Sequence, residues 1–173
     1  MERMDRDELL LCEMQARTFE QSVERTASSS EIFIRRFMHS RAAKLLDSGA
    51  ILETGLQPEN LLQMIEEQYG VSEYGSVRYT TEEMYWIGYI YRSYACLKNM
   101  SSLQVYRIIK PRELRRMFPA YHSMDPAQAV ERIMEAKHQP LDEESELQRQ
   151  YEIFKKHHDY ILAERNELPE GLE

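Results

Sequence analysis

Apolar residues recur along most of this chain at steps of three and four, the spacing of one buried helix face. Between Asp7 and Ala27 the stripe is Leu9, Cys12, Ala16, Phe19 and Val23. Ser28, Ser29 and Ser30 interrupt it and offer an N-cap to the next helix. Ile34, Phe37, Met38, Ala42 and Leu45 form a second stripe, closed by Gly49 as a C-cap, so one helix is predicted over 30–48. Pro58 suits the first turn of a third helix, with Leu61, Leu62, Ile65 and Tyr69 inward and Gly70 after it. Residues 71–79 lack regular spacing and are expected to form an ordered loop. Thr80 and Glu83 have capping-box spacing and open a fourth helix. From Met84 to Tyr91 that helix is apolar nearly all round, the pattern of a central helix, so Trp86 is expected to be largely buried.

Shorter segments follow. Ser101 or Ser102 caps a helix through Ile109, and Pro111 starts another with Leu114, Met117 and Phe118 inward and Pro119 after it. Asp125-Pro126 is a strong start signal for a helix that buries Val130, Ile133 and Met134. Beyond Pro140, a last helix is predicted from Asp142 to about Glu167. Its stripe of Leu147, Tyr151, Phe154, His158 and Ile161 has coiled-coil spacing, continued by Arg165 and Leu168. The expected fold is therefore all-α: a single compact multi-helix domain of about eight helices. The helical domain is assigned to residues 1–140, with an acidic amphipathic helix and tail over 141–173 that can protrude.

Length and composition fit this picture. The 173 residues suffice for one domain with a proper core, and 6 Gly and 6 Pro argue against long flexible linkers. The longest apolar run, Met84–Tyr91, is far too short to span a bilayer. The N-terminal segment places acidic residues before a short apolar run, unlike a secretory signal. Cys12 and Cys96 are too sparse for a disulfide framework and are expected to be free thiols in a reducing cytoplasm.

Charge adds a second feature. The chain carries a net −8, but residues 138–173 hold ten acids against four bases, whereas residues 80–137 hold nine bases against six acids. An acidic chain is no general nucleic-acid coat, yet screening beyond about 8–10 Å leaves room for a local basic face. Arg107, Lys110, Arg112, Arg115 and Arg116 supply one across two short helices joined at Pro111. This arrangement suits a DNA-binding regulator of helix-turn-helix type. Intramolecular salt bridges would explain the same residues. The aromatic cluster Tyr85, Trp86, Tyr89, Tyr91 and Tyr94 reads as a central core helix, its hydroxyls bonded to neighbouring helix ends, or as a binding groove if one face is open.

Catalytic and metal signals are weak. His157 and His158 with Glu152, Asp159 and Glu164 lack ligand spacing. Adjacent carboxylates such as Glu82-Glu83 point to different helix faces and do not converge on one bond. Ser28–Ser30 has no nucleophile elbow, and Cys96 with His122 has no supporting signature.

Between Ile32 and Lys137 the chain resembles a family of small bacterial proteins labelled antitoxins of toxin–antitoxin modules. The resemblance is carried by Ile34-Arg35-Arg36-Phe37-Met38 and Glu66-Glu67-Gln68-Tyr69-Gly70, and by the segments Tyr85 to Arg92, Val105 to Pro111 and Tyr121 to Glu131. It implies a non-catalytic cytoplasmic protein without cofactor or metal, which binds and neutralises a toxin encoded nearby, of ADP-ribosyltransferase type. The expected partner surface takes Tyr85, Tyr89, Tyr151 and His158. The alternative is a transcriptional regulator on promoter DNA through residues 107–116, in the same protein if it represses its own operon.

The last predicted stripe contains His158 and Arg165, and polar residues weaken a packing seam. That segment is assigned to partner binding or to self-association of the chain as a homo-oligomer. A chain ending at Pro140 is expected to keep its helical circular dichroism while losing partner neutralisation or changing its mass in solution. Unfolding of the shortened chain would assign the segment to the core.

Overall fold

The computed structural model describes residues 3–137, Tyr151 and residues 154–156. Helices begin where the sequence supplies an acceptor for the first unpaired N–H groups. α1 (Arg6–Arg25) starts at Asp5, whose carboxylate accepts from the Glu8 N–H while the Glu8 side chain accepts from the Asp5 N–H. α2 (Ser30–His39) and α3 (Arg41–Ser48) are capped by Ser29 and Ser40. A 3-10 turn (Ala50–Glu53) leads to α4 (Pro58–Tyr69), which has Pro in its first turn. α5 (Thr81–Lys98) opens with the reciprocal Thr80–Glu83 pair. α6 (Ser102–Ile108), α7 (Pro111–Tyr121) and α8 (Pro126–Lys137) complete the order. Among the described residues the fold is all-α, with no strand, and no helix is long and apolar enough to cross a membrane.

The chain divides into two units, Met1–Glu131 and Arg132–Glu173, the division falling inside α8. In the second unit the described residues are 132–137, Tyr151 and 154–156; Tyr151 and Phe154 are exposed.

Two boundaries differ from the sequence expectation. The helix expected over 30–48 is two helices. The Ser40 hydroxyl donates to the Phe37 carbonyl at 2.6 Å and accepts from the Ala43 N–H at 3.1 Å, so it ends α2 and starts α3. A serine that can bond the backbone on both sides competes with helix continuation. Pro119, expected to follow its helix, lies inside α7. It sits in the last turn, where a proline interrupts few bonds, and the His122 N–H still reaches the Phe118 carbonyl at 3.0 Å.

The core of the first unit forms around α5, which is buried at Met84, Trp86, Ile87, Ile90, Tyr91 and Tyr94. α1 crosses it closely at Gly88. A Cβ at that position would meet the Phe19 ring at 2.9 Å, the Ala16 Cα at 3.0 Å and the Gln15 carbonyl oxygen at 3.0 Å. Phe19 in turn packs edge-on against Phe33 (5.5 Å) and Phe37 (5.0 Å) of α2.

Arg92, one helical turn past Gly88, is 1% exposed. Its guanidinium donates to Gln15 Oε1 (2.9 and 2.8 Å), to Asp47 Oδ1 (2.7 Å) and to Ser102 Oγ (2.6 Å). The Ser102 N–H and hydroxyl both donate to Asp47. A buried cation is tolerated when it is paired and hydrogen-bonded in this way. The group ties α1, α3, α5 and α6 together.

The loop 71–79 is ordered, as expected. The Ser29 and Ser30 N–H groups donate to the Tyr74 and Val77 carbonyls at 3.0 and 3.1 Å, and the Tyr79 N–H donates to Ser30 Oγ at 2.9 Å. Arg78 donates to the Val23 and Thr26 carbonyls at the end of α1.

Helix propensity favours Ala over Gly by about 1 kcal/mol in a helix interior. At position 88 two of the three nearest atoms are backbone, which cannot rotate away, and overpacking costs about 1–3 kcal/mol. Gly88→Ala is therefore expected to lower stability in urea unfolding, by up to about 2 kcal/mol once the propensity gain is subtracted from the overpacking, against the sign that propensity alone predicts.

Candidate functional site

The tyrosines of α5 divide by helix face. Tyr91 and Tyr94 are buried, and the Tyr91 hydroxyl donates to the Ile109 carbonyl at the end of α6 (2.7 Å). Tyr85 and Tyr89, four residues apart, share the opposite edge and are half-buried. Their rings stack at 6.3 Å with an angle of 27°. Trp86 is 8% exposed and meets Phe118 of α7 edge-on at 5.8 Å. Phe118 stacks on His122 at 4.5 Å.

These side chains line an open groove of about 660 Å³, which Met124 and Pro126 extend and the carboxylates of Glu20 and Glu82 border. The groove is thus apolar along its walls with negative charge beside it. Burial, above all, raises both phenols; neighbouring Glu13 adds to the effect, and Tyr89 is pushed up to about 12. At neutral pH both hydroxyls are protonated donors. A rigid aromatic wall with a polar tip is the usual composition of a binding hot spot.

The basic run does not form one free face. Arg112 pairs with Glu31 at 3.2 Å, and Arg115 pairs with Glu83 at 3.0 Å while lying 4.3 Å from the centre of the Tyr79 ring. Tyr79 donates to Glu31 at 2.9 Å. Burial opposes ionisation of Glu31, but hydrogen bonds from Arg112 and Tyr79 hold its carboxyl below the usual range. Lys110 lies over the Tyr106 ring at 4.1 Å. Arg107 and Arg116 are exposed. The intramolecular salt bridges weighed for this run are present at Arg112 and Arg115.

Of the remaining candidates, Tyr151 is exposed in the second unit, and His158 lies outside the described residues, as do His157, Glu152, Asp159 and Glu164. Cys96 and His122 are not brought together: Cys96 opens on a pocket with Asp47 and Arg92, His122 on the aromatic groove. The Cys12 thiol of α1 instead lies 3.5 Å from the Ser93 hydroxyl of α5 and 3.5 Å from the Met4 sulfur, and the neighbouring Cys96 thiol and Ser93 hydroxyl hold it below its ordinary range against the effect of burial. Among the described residues no group of His, Cys, Asp or Glu is arranged to hold a metal ion.

Spacing along the chain could not bring Glu20, Phe118, His122 and Met124 to Tyr85 and Tyr89. The one local signal was that Tyr85 and Tyr89 are four apart in a helix otherwise apolar all round. No family model, no curated protein and no solved structure matches the chain.

Tyr89→Phe is expected to leave the tyrosinate absorbance titration unchanged through the ordinary tyrosine range, about 10, and to remove one phenol that ionises above it. Loss of a phenol that titrates within the ordinary range would show that Tyr89 is solvated.

Proposed function

We propose that the protein is a non-catalytic antitoxin that neutralises a partner protein by seating a segment of it in the aromatic groove of α5 and α7. The observation that carries this reading is the Tyr85–Tyr89 stack, half-exposed on a helix whose other faces are fixed in the core. Side chains held in place before binding lose little conformational entropy on association. The resemblance of residues 32–137 to antitoxin-labelled proteins supplies the class of partner: a toxin encoded beside this protein, of ADP-ribosyltransferase type. The groove specifies what that partner presents. An apolar or aromatic side chain fills it, and Lys or Arg flanks that anchor to meet Glu20 and Glu82.

The single tryptophan makes the groove observable, because Trp86 lies in its wall. Addition of the protein encoded next to this one is expected to shift the fluorescence of Trp86. The double variant Tyr85→Ala, Tyr89→Ala is expected to keep the helical circular dichroism and to bind at least ~30-fold more weakly, the scale of a lost hot spot. Glu82→Lys, which leaves Glu20 opposed by one cation, should slow association and weaken its salt dependence. Undiminished neutralisation by the double variant would remove the groove from the mechanism.

A further inference from the structure

A second concave face, bounded by α2, α4, α6, α7 and the loop 71–79, has a different chemistry. Two adjoining depressions of about 510 and 500 Å³ share Ile32 and Arg35 as a common wall. The first also has Arg36, His39, Tyr69 and Tyr74 in its lining. The second has Tyr106, Lys110, Arg112 and Arg116. Five cationic side chains (Arg35, Arg36, Lys110, Arg112 and Arg116) thus face two carboxylates, Glu31 and Glu113, on a chain whose net charge is −8. Positive charge gathered on one concave face of an acidic protein concentrates the field there and selects a polyanion.

The aromatic residues narrow the choice of polyanion. Arg36 lies over the Tyr69 ring at 5.5 Å, Lys110 over the Tyr106 ring at 4.1 Å, and His39 meets Tyr106 edge-on at 5.4 Å. Tyr74 is 75% exposed at the edge of the same face. Cations interleaved with accessible rings answer the two parts of an unpaired nucleotide, a phosphate and a base with a π face. An acidic peptide would use the cations and leave the rings without a role. A duplex would need a protruding helix with free base-reading side chains. Here Arg112 and Arg115 of α7 are held by Glu31 and Glu83. Arg35 and Arg116, by contrast, are exposed and make no ion pair among the described residues.

We propose that this face binds an unpaired nucleic-acid strand, with its phosphates on Arg35, Lys110 and Arg116 and a base stacked on Tyr74. The site is separate from the aromatic groove, shares no lining residue with it, and does not depend on the antitoxin reading.

The test is fluorescence anisotropy of the full chain with a labelled single strand of about 12 nucleotides, as DNA and as RNA of the same sequence. Binding is expected to weaken with salt, with a log–log slope of about −2 for three phosphate contacts. Arg35→Gln with Arg116→Gln, both exposed, should reduce that slope to about −0.7 and weaken binding at least tenfold. Tyr74→Ala should weaken it roughly tenfold with the slope unchanged. The Tyr85→Ala, Tyr89→Ala protein should bind the strand as the native chain does. Tighter DNA than RNA binding, or the reverse, would tell which strand is the ligand. The proposal is overturned if no binding occurs at low salt, if the arginine variant binds normally, or if the matching duplex binds more tightly. Displacement of the strand by polyglutamate at equal charge would also overturn it, in favour of an acidic protein partner.

Discussion

The close approach of α1 to α5 at Gly88 is the constraint on which the first unit is built. Without a side chain at that position the two backbones come near enough for Gln15 to donate to the Gly88 carbonyl at 3.0 Å. The same amide then presents its oxygen to Arg92, and Arg92 reaches on to Asp47 and Ser102. A single missing Cβ therefore sets the position of α1, and through one guanidinium the positions of α3 and α6 as well. Replacing a buried ion pair by apolar residues is often neutral for stability. What this group contributes is geometric: the four hydrogen bonds of Arg92 form together only when α1, α3, α5 and α6 meet at it.

Helix positions were legible because each carries its own local signal. Thr80 with Glu83, Pro58, Pro111 and Asp125-Pro126 mark starts that need no knowledge of the rest of the chain. The buried position of Trp86 followed from an apolar pattern that circles its helix. Arg92 was not legible, since its partners Gln15, Asp47 and Ser102 come from three other helices and no spacing announces them. The pairing of Gly88 with Arg92 at an interval of four, in an otherwise apolar helix, was the available hint. Ser40 was hidden for a different reason. The stripe of Phe37, Met38, Ala42 and Leu45 continues across it, and periodicity does not register a hydroxyl that bonds the backbone in both directions.

Charge behaves differently at two scales in this protein. A net of −8 describes how the whole chain repels other acids at a distance. Within a Debye length, about 8–10 Å, only neighbouring charges count. The aromatic groove is bordered by Glu20 and Glu82, and the tyrosine-lined face by Arg35 and Arg116. Two surfaces of opposite sign, with no lining residue in common, can take different partners. Arg112 and Arg115 also show why a basic run in sequence is a poor guide to a basic face. Two of its five charges are paired once Glu31 and Glu83 arrive from elsewhere in the chain.

The Gln15–Gly88 bond joins residues 73 apart, and Gln15–Arg92 joins residues 77 apart. The face of α1 that meets α5 consequently has no cover of its own until α5 is made. At a synthesis rate of about 5–20 residues per second, the interval between Gln15 and Gly88 lasts about 4–15 s. Phe33 and Phe37 of α2 can cover Phe19 early in it, but the side of α1 at Ala16 that meets Gly88 faces water or whatever else binds an amphipathic helix. The contact of α1 with α5 closes only when α5 becomes available. Folding of this chain on the ribosome is therefore a matter of keeping its first helix out of other company until its fifth arrives.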